Sequence, residues 1–378
     1  MTAELAAEER ARPAGGGRVG AAALSAHRLQ VGVWLFVMAG LVALMVLVGG
    51  ATRLTDSGLS ITEWKPVTGV IPPLTTEAWE AELEKYRQIP EYQQINKGMS
   101  LDEFKRIYWW EWGHRFLGRL VGLVFAAGFL FFLFTRRLER PMVPRLAAIF
   151  TLGAAQGVLG WYMVQSGLVD RVDVSQYRLA AHLGLAVLIL GAILWTAFGL
   201  VRHAPERRRH TGALPLSLGL FSVLVFLQIL MGAFVAGLDA GLSFTTWPLM
   251  DGQFIPRGLF PGAWYQALFE DRFTVQFVHR MGGYAVAAWA LALWFYGRQL
   301  PLSRGLSRVL GALLLMVALQ VASGILTLVN VVPIPLALVH QAGSLAVFAL
   351  ALLALHAALG LGTRPEGVRE APKGVMGE

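Results

Sequence analysis

Eight apolar runs divide the chain, each long enough for one membrane crossing. The first covers residues 31–50, and the others lie at about 115–135, 144–166, 178–201, 214–237, 275–297, 307–332 and 336–359. A bilayer core ~30 Å thick takes about 20 residues of helix, so this pattern predicts eight transmembrane helices. The first run exceeds the core of a signal peptide and no small-residue cleavage site follows it, which predicts an uncleaved helix. The polar stretches between the runs are either short and arginine-rich or long and mixed.

Composition places these runs in a polytopic membrane protein. Hydrophobic residues make up 56% of the 378 and charged residues only 15%, with a mean hydropathy of +0.56, well outside soluble-domain averages. The net charge of +8 does not indicate nucleic acid, because the basic residues fall in short clusters between spans, where they set topology. Cysteine is absent, which excludes disulfides, thiolate metal sites and cysteine nucleophiles. Any metal chemistry must use histidine or carboxylate.

The clusters orient the chain. Arg136, Arg137, Arg140 and Arg145 lie between spans two and three; Arg202, Arg207, Arg208 and Arg209 between four and five; Arg298, Arg304 and Arg308 between six and seven. The opposite short loops carry Asp170, Arg171 and Asp173 in one case and no charge in 330–335 in the other. The positive-inside rule then puts both termini in the cytoplasm. In a bacterium the host membrane is the inner, or plasma, membrane. The long loops 51–113 and 238–274 face outward. The Ala-, Gly-, Glu- and Arg-rich residues 1–26 suit a flexible tail.

The chain also repeats itself in order. Asp56-Ser-Gly-Leu-Ser-Ile-Thr-Glu-Trp64 follows the first span, and Asp239-Ala-Gly-Leu-Ser-Phe-Thr-Thr-Trp247 follows the fifth; each runs on to an Ile-Pro. His114-Arg115 matches His279-Arg280, Gln156 and Gly160 match Gln320 and Gly324, and His182 matches His340. The expected architecture is an all-α integral membrane protein of two duplicated four-helix bundles. Its expected segments are a tail at 1–27, an N-terminal half at 28–205, a C-terminal half at 206–362 and a second tail at 363–378.

Four of the eight histidines, His27, His203, His210 and His356, lie near cytoplasmic ends; the other four begin spans two, four, six and eight. Those four share about one depth, below the outer interface. A lone intramembrane histidine is often only a hydrogen-bonding residue between helices. Two in each four-helix unit form a natural axial pair for haem iron. Zinc generally takes three or four protein ligands together. Gly118 with Gly122, and Gly153 with Gly157, suit either close helix packing or a porphyrin slot. Arg115, Arg119 and Arg280 suit either haem propionates or snorkelling toward headgroups.

The halves differ at one telling place. Glu111 stands three residues before His114, and Gln276 stands three before His279. A carboxylate there either complements a helix start or gives the first half chemistry that the second lacks. Near a haem it would accept protons or stabilise developing positive charge. Glu63, matched by Thr246, is a second asymmetric acid.

The stretch Gly49-Gly-Ala-Thr-Arg-Leu-Thr-Asp-Ser-Gly-Leu-Ser-Ile-Thr-Glu-Trp-Lys-Pro-Val-Thr-Gly69, the Glu111-x-x-His114-Arg-x-x-Gly-Arg119 pattern and the three later histidines resemble the haem A synthase family, in the form shared by mitochondria and α-proteobacteria. The likeness runs over about 28–360. It implies oxidation of a methyl group of haem O to a formyl group, through a hydroxymethyl intermediate, to give haem A for terminal oxidases. It implies that His114 and His182, with Glu111 as the catalytic carboxylate, serve the substrate haem, and that His279 and His340 ligate a haem B cofactor. A haem O synthase and the cytochrome oxidase assembly machinery are the implied partners, in a lipid bilayer, with a homo-oligomer left open. Relatives of the Bacillus type carry outer-loop cysteines that this chain lacks. The competing expectations are a di-haem cytochrome b that only transfers electrons and a transporter built from repeats.

Overall fold

A computed structural model of the chain describes residues 15–202 and 212–361. His203 and His210 fall outside them, as do residues 1–14 of the expected N-terminal tail and the whole expected tail at 363–378. Regular structure among the described residues is helical apart from an isolated bridge between Met250 and Gln253. The eleven helices are α1 (Gly15–Leu54), α2 (Thr76–Arg87), α3 (Pro90–Gln94), α4 (Leu101–Phe134), α5 (Met142–Gln165), α6 (Gln176–Val201), α7 (Ala213–Gly237), α8 (Trp264–Glu270), α9 (Arg272–Arg298), α10 (Arg304–Val329) and α11 (Ile334–Ala358). Helix α1 thus reaches back into the stretch expected as tail.

Seven of these helices, α1, α4, α5, α6, α7, α10 and α11, are long and apolar enough to cross a membrane. The eighth expected span, α9, is a 27-residue helix that packs between α7 and α10. Its arginines Arg272, Arg280 and Arg298, together with Tyr284, Trp289, Trp294 and Tyr296, lower its hydropathy below that of the others.

The long helices form two rings. Helices α1, α4, α5 and α6 pack in cyclic order, and so do α7, α9, α10 and α11. The rings meet through α1, α6, α7 and α11. Helix α6 is the most enclosed: 61% of its most apolar window is buried, against 11% for α4. The core is continuous across the seam, running from Leu35 and Met38 on α1 through Ile193 and Ala197 on α6 to Leu218 and Phe221 on α7 and Ala351 on α11.

Helix α4 starts earlier than its apolar run suggests. Ser100 accepts from the Glu103 amide while the Glu103 carboxylate accepts from the Ser100 amide. This capping box satisfies two of the amides that a helix start leaves bare. The helix therefore begins about four turns outside the apolar run, and Glu111 and His114 sit in its middle rather than at its mouth. The added turns pack Phe104 and Tyr108 against Trp79, Leu83 and Tyr86 of α2, making a small apolar lobe above the first ring. Burial this complete is worth roughly 1.5–3 kcal/mol for each large side chain.

Candidate functional site

Glu111 works as a clasp. It is 2% exposed, and its Oε2 accepts from the Ser60 hydroxyl at 2.8 Å and the Ile61 amide at 2.7 Å. Its Oε1 accepts from Arg115 Nε and Nη2 at 3.0 and 2.6 Å. The carboxylate thus ties the loop after α1 to the middle of α4. Gln276 does the same in the other ring: its Oε1 accepts from the Phe244 amide at 3.0 Å and its Nε2 donates to the Phe244 carbonyl at 2.9 Å. Complementing a helix start is excluded as the reason for the acid, because that effect fades within the first turn. What the first ring adds is charge, as a buried ion pair.

The arginines are engaged with protein. Arg115 also donates to the carbonyls of Glu63 and Ile61, and Arg280 donates to the Thr246 carbonyl at 2.9 Å. Arg119 donates to the carbonyls of Pro66 and Lys65, while its Nη1 is buried without a partner. These guanidiniums fasten the outer loops to the helices. Glu63 is half-exposed and bridges Lys65 and Lys85, each at 2.6 Å. Those two ammonium groups hold its carboxyl below the usual carboxylate range. A cavity of about 260 Å³ opens beside Glu63, Arg115 and Arg119; neither His114 nor His182 lines it.

The four histidines are set by neighbouring helices in the same way. Each meets a glycine on the preceding long helix. A Cβ added at Gly160 would lie 2.9 Å from His182 Cε1, at Gly232 3.3 Å from His279 Cε1, and at Gly324 2.7 Å from His340 Cε1. At Gly49 it would lie 2.9 Å from His114 Nε2. Three of the rings also meet a glutamine four residues before that glycine. Gln156 Nε2 donates to the His182 carbonyl at 2.9 Å and lies 3.2 Å from its Nδ1. For Gln228 and His279 the distances are 2.7 and 3.1 Å; for Gln320 and His340 they are 2.8 and 3.2 Å. Ser323 Oγ stands 3.1 Å from His340 Nδ1. In the second ring His279 and His340 face one another edge to face, with 6.4 Å between ring centroids.

These surroundings fit haem iron. Each ring of helices supplies two imidazoles, and among the described residues no three His, Asp or Glu side chains converge as a bare metal ion would require. A porphyrin supplies the other four donors itself. The glutamine atom nearest each Nδ1 is the amide nitrogen that also bonds the histidine carbonyl; Gln156 Oε1 and Gln320 Oε1 are buried without a partner, and the Ser323 hydroxyl beside His340 can accept as well as donate.

The four histidines and the Glu111/Gln276 contrast are legible in the sequence. Gln156 with Gln320 and Gly160 with Gly324 stand there only as landmarks of the repeat, and Gln228 and the role of Gly49 and Gly232 emerge only in the fold. The signal was a Gln-x-x-x-Gly spacing on α5, α7 and α10, with Met45-x-x-x-Gly49 on α1. The glycines Gly118, Gly122, Gly153 and Gly157 touch no histidine, and open space beside three of them leaves close helix packing without support there. A Cβ at Gly122, Gly153 or Gly157 would meet nothing within 4 Å, and one at Gly118 would meet only Met45.

Residues 32–352 match the model of the COX15-CtaA family, described as cytochrome oxidase assembly protein. A "Heme A synthase" of Parvibaculum lavamentivorans is 53% identical over 333 residues, 88% of this chain and 95% of that protein. Proteins of the same name from Nitrosospira multiformis and Paracoccus denitrificans are 49% and 50% identical, over 86% and 87% of this chain and 92% and 88% of theirs.

Proposed function

The chain belongs to the COX15-CtaA family of cytochrome oxidase assembly proteins, and on that footing we propose that it is a haem A synthase, an oxidoreductase of the membrane that converts haem O to haem A. The observation that carries this is the pair of imidazoles in each ring of helices, each imidazole seated against a glycine, beside a buried carboxylate in one ring only. The first ring, residues 28–205, takes the substrate between His114 and His182. The second, residues 206–362, takes a haem B between His279 and His340, and that haem supplies one-electron redox chemistry when bound.

Turning a methyl into a formyl group takes two successive two-electron oxidations and one added oxygen atom; written with water, R–CH3 + H2O gives R–CHO, four protons and four electrons. Glu111 lies one helical turn from His114, on the same face of α4. It is the group in the first ring that takes up a proton or balances charge developing at the substituent. Its ion pair with Arg115 and the Ser60 and Ile61 donors hold it in place. Gln276 cannot do this, which fits a second ring that only relays electrons. Helix α9 completes eight spans, with both termini in the cytoplasm and the loops around Glu63 and Thr246 outside, in the bacterial inner membrane. A haem O synthase upstream and the oxidase assembly machinery downstream are the partners this chemistry needs.

The test is to express the protein with a haem O synthase and identify the extracted haems by mass. Haem A or hydroxylated haem O above an empty-vector control is expected. Haem O alone, with two haem B in the purified protein, would make it an electron-transfer cytochrome instead.

A further inference from the structure

Three of the four imidazoles are held by a glutamine, and His114 is not. No hydrogen bond reaches the His114 ring among the described residues, whereas His182, His279 and His340 each have a carboxamide at 3.1–3.2 Å from Nδ1. The register explains the difference. Gln228 lies eleven residues before Asp239, and Met45 lies eleven before Asp56, so methionine occupies the glutamine's place on α1. The slot for the carboxamide is missing too. In the second ring Gln228 Oε1 fills the space beside Gly282, three residues after His279, where a Cβ would come within 2.1 Å of it. Three residues after His114 stands Leu117.

The ring orientation follows. The Cε1 atoms of His182, His279 and His340 lie nearest their glycines, but His114 turns Nε2 toward Gly49. Each glutamine sets one amide nitrogen against both the ring and that histidine's own backbone carbonyl, which limits the ring's rotation, and losing such an outer-shell partner typically costs 10–100-fold in affinity. Methionine is flexible and has no N–H to offer the ring or the carbonyl. The rings of helices differ in the same sense: α10 packs more extensively on both α9 and α11 than α5 does on α4 and α6.

We propose that Gln156, Gln228 and Gln320 position His182, His279 and His340 as permanent iron ligands, while Met45 leaves His114 as an exchangeable one. This rests on the assignment of the substrate to the first ring. A haem held there by one fixed and one exchangeable imidazole is bound firmly enough to be oxidised and loosely enough to leave. The haem of the second ring, gripped from both sides, stays.

Carbon monoxide reads the difference directly, because it binds reduced haem only where an axial ligand gives way. Protein purified after co-expression with a haem O synthase is reduced with dithionite and exposed to carbon monoxide, and its difference spectrum is recorded. In the parent protein the substrate haem should shift and haem B should not. Gln228→Met should render haem B reactive and speed its loss to apomyoglobin about 10-fold or more. Gly282→Ala, which displaces the carboxamide without removing it, should act in the same direction. Met45→Gln with Leu117→Gly should suppress the reactivity of the substrate haem and slow its loss. An inert haem B in both Q228M and G282A, with its Soret band intact, overturns the tether, as does an inert substrate haem in the parent. Protein without any Soret band overturns the haem assignment as well.

Discussion

Glu111 and Gln276 close the same backbone contact with different charge, so exchanging one for the other isolates the charge. Glu111→Gln keeps an acceptor for Ile61 and should leave haem content unchanged, while haem A formation falls by about 10²-fold or more; haem mass analysis beside the Soret spectrum checks both. Glu111→Ala removes the clasp too and leaves buried donors on Ile61 and Arg115, at about 1–3 kcal/mol, visible as a lower unfolding midpoint. Gly324→Ala puts a Cβ 2.7 Å from a ring already held by Gln320 and Ser323. Overpacking of this kind costs about 1–3 kcal/mol, and the variant should retain less haem B per protein. The four histidines were legible because histidine is rare in apolar helices and four of them recur in register. The glutamines beside them were not legible as partners, because a glutamine within a span resembles any polar residue until its partner is known. Arg115, Arg119 and Arg280 donate to loop carbonyls, contacts that no spacing along the chain reveals.

Helix α4 shows what a boundary drawn by hydropathy leaves out. The apolar run begins near residue 115, but the capping box at Ser100 and Glu103 starts the helix at Leu101. That signal was present in the sequence, and the change from polar to apolar residues masked it. Ser100→Ala should cost about 1 kcal/mol, read as earlier melting of the outer lobe by tryptophan fluorescence. The same lobe contains Glu91, 5% exposed on α3, whose Oε2 has no partner. Burial pushes its carboxyl up to about 8, against about 4.3 in an unfolded chain. Between those values the folded state binds more protons, so the lobe loses stability as pH rises from about 4 to about 8 and levels off above. The loss is on the order of a few kcal/mol, and Glu91→Gln should flatten the dependence when melting is compared at pH 5 and pH 8.

At the scale of the whole molecule, the order of landmarks along the chain anticipated two four-helix groups but not how they join. Helices that are apolar nearly all round carry no face to read, so the choice of α1, α6, α7 and α11 as the shared seam is invisible in their pattern. One polar contact reinforces that seam on the outer side. Arg53 at the end of α1 reaches Asp239 after α7 through Nη2, 3.1 Å from each carboxylate oxygen, and also holds Asp56 at 2.8 Å. Asp56 and Asp239 both adopt left-handed backbone, with φ of 48° and 51°, a conformation that aspartate tolerates better than most residues. Asp239→Asn should lower the midpoint of detergent-induced unfolding by the equivalent of about 1 kcal/mol, an effect that disappears when Arg53 is already methionine.

The seam also decides where the molecule can give. Its helices are held on both sides, so the two groups move as one body there. Helices α4 and α5 lie away from the seam and touch each other less than any other neighbours in either group. Breathing of the first group is therefore concentrated at that edge, on the side away from its partner.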